Sequence, residues 1–298
     1  MMLLQDLKFK FNVTDTFYIA MMLLPIAFAI VLNVLTEPVS TDITITGARI
    51  FFTIPMPFQG FPVTESQINS ALVLISLFFF CRFITHGISE KAELKRQFFA
   101  ELLIERLDNM VIENMGHYFE GYTPFIIAVL LLSAFSSLLS LFGIFPPTAD
   151  INIVGGWAIL VFFIITYYKM KGVPLNYLKS FTKPVAFLAP INFISEFATP
   201  VSMSFRHYGN ILSGTVISTL LAFALGRLSN KLLGTLPGFL ANIPIFQVGI
   251  PAVLSIYFDV FSGCLQAFIF AMLTMLGISG AFDIELYKKR KQKKLSKQ

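Results

Sequence analysis

Charge is what this sequence has least of. Only 13% of its 298 residues are Asp, Glu, Lys or Arg, against about 25% in a soluble globular domain, and 56% are apolar. With a mean hydropathy of +0.75, this is more apolar surface than a water-facing fold can bury. The shortage of charge excludes a soluble enzyme, a disordered regulator and a secreted module. Cysteine is nearly as scarce. Cys81 and Cys264 lie in apolar stretches with no CxxC or His-bearing spacing, which excludes a disulfide framework and a zinc site. No metal or cofactor is expected. No GxxxxGK[ST] phosphate loop is present, so nucleotide chemistry is not expected on this chain. Internal repeats are missing too, and only the C-terminal tail is of low complexity.

What the chain has instead is Phe, 34 residues of it beside a single Trp. The net charge of +5 sits largely in Lys288-Lys289-Arg290-Lys291-Gln292-Lys293-Lys294, directly after an apolar run. Such a tail reads as an orientation signal attracted to anionic headgroups rather than as a nucleic-acid site.

A helix needs about 20 apolar residues to cross a bilayer. Charge-free runs occur at Phe17 to Thr36, between Glu65 and Arg82 (extendable to Thr85 if Arg82 snorkels), at Gly121 to Ala149 and at Ile151 to Tyr168. Phe17 to Thr36 is long, contains Pro25 and ends without a small-x-small cleavage site, which argues against a cleaved signal peptide and for a real span. Pro146 and Pro147 should turn the third and fourth runs into a hairpin. Beyond Lys183 polar residues interrupt the apolar pattern, and a last segment, from about Pro251 to Phe282, carries Asp259 and Gln266. Pro237, Pro244 and Pro251 predict a broken path into it.

The expected fold is an all-α integral membrane protein with about six crossing helices, two of them long and tilted. Lys169, Lys171, Lys179, Lys183 and the tail place those regions in the cytoplasm. The N terminus with Lys8 and Lys10 is then internal, and the Glu37 to Glu65 loop external. Arg227 and Lys231 are a mild exception on the outside. Between Lys91 and Met115, Leu94, Phe98, Leu102, Leu103, Leu107, Met110 and Val111 recur at helical spacing, with charges on other faces. This predicts an amphipathic helix, on the cytoplasmic membrane surface or against a partner, stopped by Gly116.

The chemistry-bearing stretch is Glu196-Phe-Ala-Thr-Pro-Val-Ser-Met-Ser-Phe-Arg206-His-Tyr-Gly-Asn210. Ser202, Arg206 and Asn210 follow at steps of four and share a helix face, with Asn192, Glu196 and Thr199 extending the stripe. Arg within a membrane costs about 2.5–3.5 kcal/mol and cannot discharge, since its pKa exceeds about 12. Glu196 lies ten residues away, about 15 Å along an ideal helix, so Arg206 needs another anion. Asp259 and Gln266, seven apart, would share a face of the last helix.

Arg206-His-Tyr-Gly-Asn210 with upstream Pro200-Val-Ser202, and Leu265-Gln266-Ala-Phe-Ile-Phe270 with Asp259 before it, resemble subunit a of bacterial F-type ATP synthases. Leu107-Asp-Asn-Met-Val-Ile-Glu-Asn-Met-Gly116 and Pro147-Thr-Ala-Asp-Ile-Asn152 add to the resemblance, which covers roughly Ile54 to Phe282. Residues 1–53 then form an additional span and external loop, and 283–298 a basic cytoplasmic tail. The resemblance implies a noncatalytic subunit of the inner membrane with two aqueous half-channels beside a rotating c-ring, in contact with peripheral-stalk b subunits and serving the F1 head indirectly. It implies that Arg206 is the fixed charge for the ring carboxylates and that Gln266, Asn210 and Ser202 line its surroundings. Asp259 would belong to the external half-channel, and Glu196 and Asn192 to the cytoplasmic one. The translocated ion, H+ or Na+, is left open. Departures are Asn192 in place of an acid, Thr215 where some relatives are acidic, and Ser137-Leu-Leu-Ser140 in place of an Asn-Leu-Leu-Gly-like stretch. An alternative is a secondary transporter binding an anionic solute at Arg206, although the repeats such folds carry are missing.

Overall fold

The computed structural model describes residues 12–36, 47–57, 60–88, 94–172, 177, 181, 187, 189–233, 245–282 and 287. Lys8, Lys10, Lys179, Lys183, Pro237, Pro244, residues 91–93 and the basic run 288–294 lie outside them. Six helical segments are long and apolar enough to cross a membrane, and the fold is the all-α membrane architecture expected. In chain order they include α1 (Val13–Thr36), α2 (Glu65–Thr85), α4 (Thr123–Leu138), α5 (Ile151–Gly172) and α6 (Ala189–Leu233), with the amphipathic α3 (Lys95–Met115) between the second and third. The last crossing is composite: α7 (Ile245–Ser255), a wide π turn (Ile256–Ser262), then α8 (Gly263–Gly280).

Several boundaries have local causes. α2 extends to Thr85, as the snorkelling of Arg82 allows. Gly116 ends α3 at φ 82°, its N–H donating to the Ile112 carbonyl. The third crossing stops at Gly143 (φ 71°), ahead of the two prolines credited with the break, and a short 3-10 turn, Pro147–Ala149, leads into α5. One element was not anticipated. The loop before α2 holds an antiparallel hairpin of β1 (Ile50–Ile54) and β2 (Phe61–Thr64).

Polar contacts tie this hairpin to neighbouring helix ends. Arg49 pairs with Glu65 at 3.2 Å and donates to Asn33 Oδ1 at 2.6 Å, while Asn33 donates to the Gly143 carbonyl at 2.6 Å. Ser66 donates to Asp150 and Asn69 to the Phe145 carbonyl at 2.9 Å. At the opposite ends of α1 and α2, Asp15 is fully buried between Arg96 at 2.7 Å and His86 at 3.0 Å.

The main core joins α3, α4, α5, α6 and α8 through Val111, Ile126, Val161, Met203, Phe270 and Met275, while a smaller one joins α1 and α2 at Ala29 and Val73. α3 is therefore only partly a surface helix. Val111 and Met115 insert into the core, whereas Phe99, Leu103 and Ile104 are more than half exposed. Two glycines on α8 let neighbours approach closely. A Cβ on Gly277 would stand 2.6 Å from Ile165 Cδ1, and one on Gly263 2.9 Å from Ser137 Cβ.

Candidate functional site: a polar seam between the two long helices

α6 runs for 45 residues, roughly 67 Å at helical rise, more than twice a hydrocarbon core of about 30 Å. A helix of this length must either tilt strongly within the apolar layer or extend past it. One side packs on α5 and α8; the other presents Ile194, Val201 and Phe205, each at least half exposed. Arg206 and Ser202 lie exposed among these apolar side chains. Among the described residues, Arg206 has neither an ion-pair nor a hydrogen-bond partner.

The stripe read from the sequence does not remain one stripe, because each step of four turns the side chain about 40° further round the helix. Asn210, one step beyond Arg206, is half-buried and faces the π turn. Its amide donates to Ser262 Oγ at 2.7 Å and Ser262 Oγ donates back to Asn210 Oδ1 at 3.0 Å. In the other direction, Glu196 turns to α5 and forms an ion pair with Lys169. The Lys169 ammonium also lies 5.8 Å from the Tyr177 ring centre. Burial, then the neighbouring Glu196, push the Tyr177 phenol above its ordinary pKa. Lys169, Glu196 and Thr199 contribute the charged and hydroxyl groups of a cavity of about 280 Å³ between α5, α6 and α8 that reaches to Met203. Pro200, on the same wall, has no N–H to give the Glu196 carbonyl. Asn192 donates to the Phe181 carbonyl at 2.8 Å instead of facing the cavity.

The composite last crossing alters the second expectation. Asp259 lies inside the π turn, where i→i+5 bonding advances fewer degrees per residue than an α-helix. The seven-residue spacing therefore does not bring Asp259 and Gln266 onto one face. Asp259 is half-buried, and its π turn packs on the 3-10 turn Leu139–Phe142 at the end of the third crossing. Gln266 is 5% exposed, within the bundle. The residues gather on two sides of α6: Arg206 and Ser202 outward, Glu196 and Asn210 toward its neighbours.

Apart from Ser137, named above as a departure from the family pattern, several polar groups here were not singled out from the sequence. Ser133, Ser136 and Ser137 on α4, Thr148 and His207 are fully buried. Serines at 133, 136, 137 and 140 repeat at helical spacing, a signal the sequence did contain. Lys169 served only as an orientation marker, and its pairing depends on a long-range contact.

Residues 67–279 match the family model described as ATP synthase A chain. The chain is 30% identical over 270 residues to the sodium-ion-specific ATP synthase subunit a of Propionigenium modestum, covering 80% of this chain and 86% of that one. It is 31% identical over 192 residues to ATP synthase subunit a 1 of Pelobacter propionicus, covering 63% and 74%. Subunit a 3 of the same organism is 29% identical over 232 residues, covering 76% and 92%. This chain belongs to the ATP synthase subunit a family. It is accordingly an ion-translocating subunit of the Fo sector, working within the F1Fo complex in a bacterial membrane. Subunit a is noncatalytic; among the described residues no group of three or more His, Cys, Asp or Glu side chains is arranged to hold a metal ion.

Proposed function

We propose that this subunit a provides two aqueous half-channels and a fixed cation that pass H+ or Na+ to and from carboxylates on a rotating c-ring. The supporting observation is Arg206, exposed on an outward apolar face with no anionic partner among the described residues. A guanidinium that cannot lose its charge and lies at membrane depth needs a carboxylate from outside, and a passing ring supplies one. Arg206 draws each arriving carboxylate into its ionised form and blocks direct leakage between the half-channels. Ser202, Asn210 and Gln266 line its surroundings.

The cavity with Glu196 serves the cytoplasmic half-channel, with Asn192 beside its mouth, and Asp259 serves the external one. The N and C termini are cytoplasmic, and the β1–β2 hairpin is external. Residues 1–53 add a span and external loop to the region shared with relatives, and 283–298 form a basic tail on anionic headgroups. The exposed apolar residues of α3 meet the peripheral-stalk b subunits, and the F1 head is engaged only indirectly. Arg206→Ala tests the reading. Ion-coupled ATP synthesis should fall to background while the complex still assembles with its c-ring; preserved coupling would overturn the role.

A further inference from the structure

We infer that the β1–β2 hairpin is a membrane-inserted element, with the face formed by Phe52, Ile54, Phe61 and Val63 set into the headgroup–acyl boundary around the outer ends of α1 and α2. The inference goes beyond the half-channel reading and draws on it only in calling that side external. From Ile50 to Thr64 the chain has no charged residue, but it has four Phe, two Ile and a Met. Ile50, Phe52, Ile54, Met56 and Phe61 are 42–61% exposed. A hairpin in water turns one face to a core and covers the other with polar side chains, and two strands alone are marginally stable. This one leaves its large apolar side chains open instead, a patch of the kind that marks a contact surface.

The strand register sorts these residues. Phe52 opposes Val63, Ile54 opposes Phe61 and Thr53 opposes Pro62, with a bulge between Ile50 and Phe52. Opposed residues share a face and neighbours along a strand alternate, so Phe52, Ile54, Phe61 and Val63 form one face and Thr53 and Pro62 the other. One side is wholly apolar and the other mixed, the pattern of an element that lies in the plane of the interface. The hairpin cannot sink further. Its sheet has two strands, so the outer edge of each presents backbone groups that a hydrocarbon core leaves unsatisfied.

The helices that hold the hairpin set its depth. α2 has 21 residues, about 31 Å at helical rise, which matches a hydrocarbon core of about 30 Å. β2 joins it directly, with Thr64 as the N-cap, so the hairpin departs from the boundary itself. Its base is pinned there: the Glu65 N–H donates to the Arg49 carbonyl at 2.8 Å, and Arg49 reaches both Glu65 and Asn33. Beside Asn33 on α1, Val34 and Leu35 are 72% and 76% exposed. The open apolar surface of a membrane-crossing helix thus continues onto the hairpin, and this continuity makes lipid its occupant. A protein partner would meet a polar rim, to which residues 50–64 offer no charge. Anchored in this way, the hairpin fixes the height of α1 and α2 in the bilayer and, through Asn33 and the Gly143 carbonyl, that of the end of the third crossing.

The test uses the assembled F1Fo complex in nanodiscs of phosphatidylcholine and phosphatidylglycerol, free of cysteine except for one introduced into the hairpin. A nitroxide on that cysteine is relaxed by oxygen, which concentrates among acyl chains, and by a water-borne nickel chelate, which does not enter them. At Phe52→Cys, Ile54→Cys and Phe61→Cys oxygen should dominate, with a ratio that places the label about 5–10 Å into the boundary, whereas Thr53→Cys should favour nickel. Nickel dominating at all four positions would put the hairpin in water. Weak relaxation by both agents would put it under protein, whether the ring, the stalk or a second copy. Either result overturns the inference. Adding Phe52→Ser and Phe61→Ser to Ile54→Cys should shift that label from oxygen toward nickel, and an unchanged ratio would show that the apolar face does not hold the hairpin in lipid. Nanodiscs open both faces of the bilayer, so these outcomes do not depend on which side is external, and the half-channel reading stands or falls separately with Arg206→Ala.

Discussion

Replacing Arg96 by Leu strands a buried carboxylate, and the cost can be worked out. Asp15 has no exposed surface; its Oδ1 lies 2.7 Å from Arg96 Nη1 and 3.0 Å from His86 Nδ1, and its Oδ2 accepts the Asn12 N–H at 2.9 Å. Arg96 also donates to the His86 carbonyl at 2.6 Å and covers the Phe83 ring at 5.3 Å. A single guanidinium therefore joins α1, α2 and α3. Removing one partner of a buried pair costs about 3–5 kcal/mol. His86 stays within reach of the carboxylate, which reduces the expected loss for Arg96→Leu to about 2–4 kcal/mol. Asp15→Asn on that background removes the stranded charge and should recover about 2 kcal/mol. SDS titration of the purified chain in mild micelles, followed by the fluorescence of the single Trp157, measures each variant. If the double variant loses the sum of the two single losses within about 0.5 kcal/mol, the three groups do not act as a unit and the argument fails.

Gly277→Ala should destabilise the α5–α8 contact by about 1–3 kcal/mol, since the new Cβ meets Ile165 Cδ1 at 2.6 Å. Ile165→Val, which removes that methyl, should restore most of it in the same titration; no rescue would refute the clash. Gly263→Ala should cost more, because the atom it meets at 2.9 Å is Ser137 Cβ, which has no rotamer to escape into; a smaller loss than Gly277→Ala would contradict this. Asp259→Ala should slow ion uptake from the external side more than Glu196→Ala does, as read by side-resolved flux; equal losses would erase the division of labour. Lys169→Gln should raise the reaction of an introduced Thr199→Cys thiol with cationic reagents relative to anionic ones, once Cys81 and Cys264 are replaced, and an unchanged ratio would show that the ammonium does not set the potential of the cavity.

All six crossings could be read from the sequence because hydropathy over about 20 residues is a strong local signal. The hairpin at Ile50–Thr64 was not, since its short strands lie in a polar-apolar mixture without a tight two-residue turn signal. The π turn was hidden for a different reason. Nothing in Ile256-Tyr-Phe-Asp259-Val-Phe-Ser262 marks an inserted residue, and only packing against α4 and α6 reveals it. Arg206 stood out because a charge at that depth is costly wherever it points. Lys169 did not, as its partner Glu196 is 27 residues away and the α5–α6 pairing decides the contact.

The motif at 206–207 combines two environments that sequence alone does not separate. Consecutive residues on a helix point about 100° apart, so Arg206 faces outward from the bundle while His207 faces Ser133, Trp157 and Phe270 inside it. The outward residue carries a permanent charge, and the inward one is an imidazole whose Nε2 lies 3.3 Å from Ser133 Oγ. A permanent cation on an outer apolar face is neutralised only by an anion that comes to it, whereas the ring in the core keeps the partners its own bundle gives it. Each elementary charge carried across 100 mV brings about 2.3 kcal/mol, comparable to the roughly 2.5–3.5 kcal/mol that placing Arg at membrane depth costs. The motif thus sets a permanent charge on the outer apolar face and, one residue on, an imidazole fully buried in the bundle.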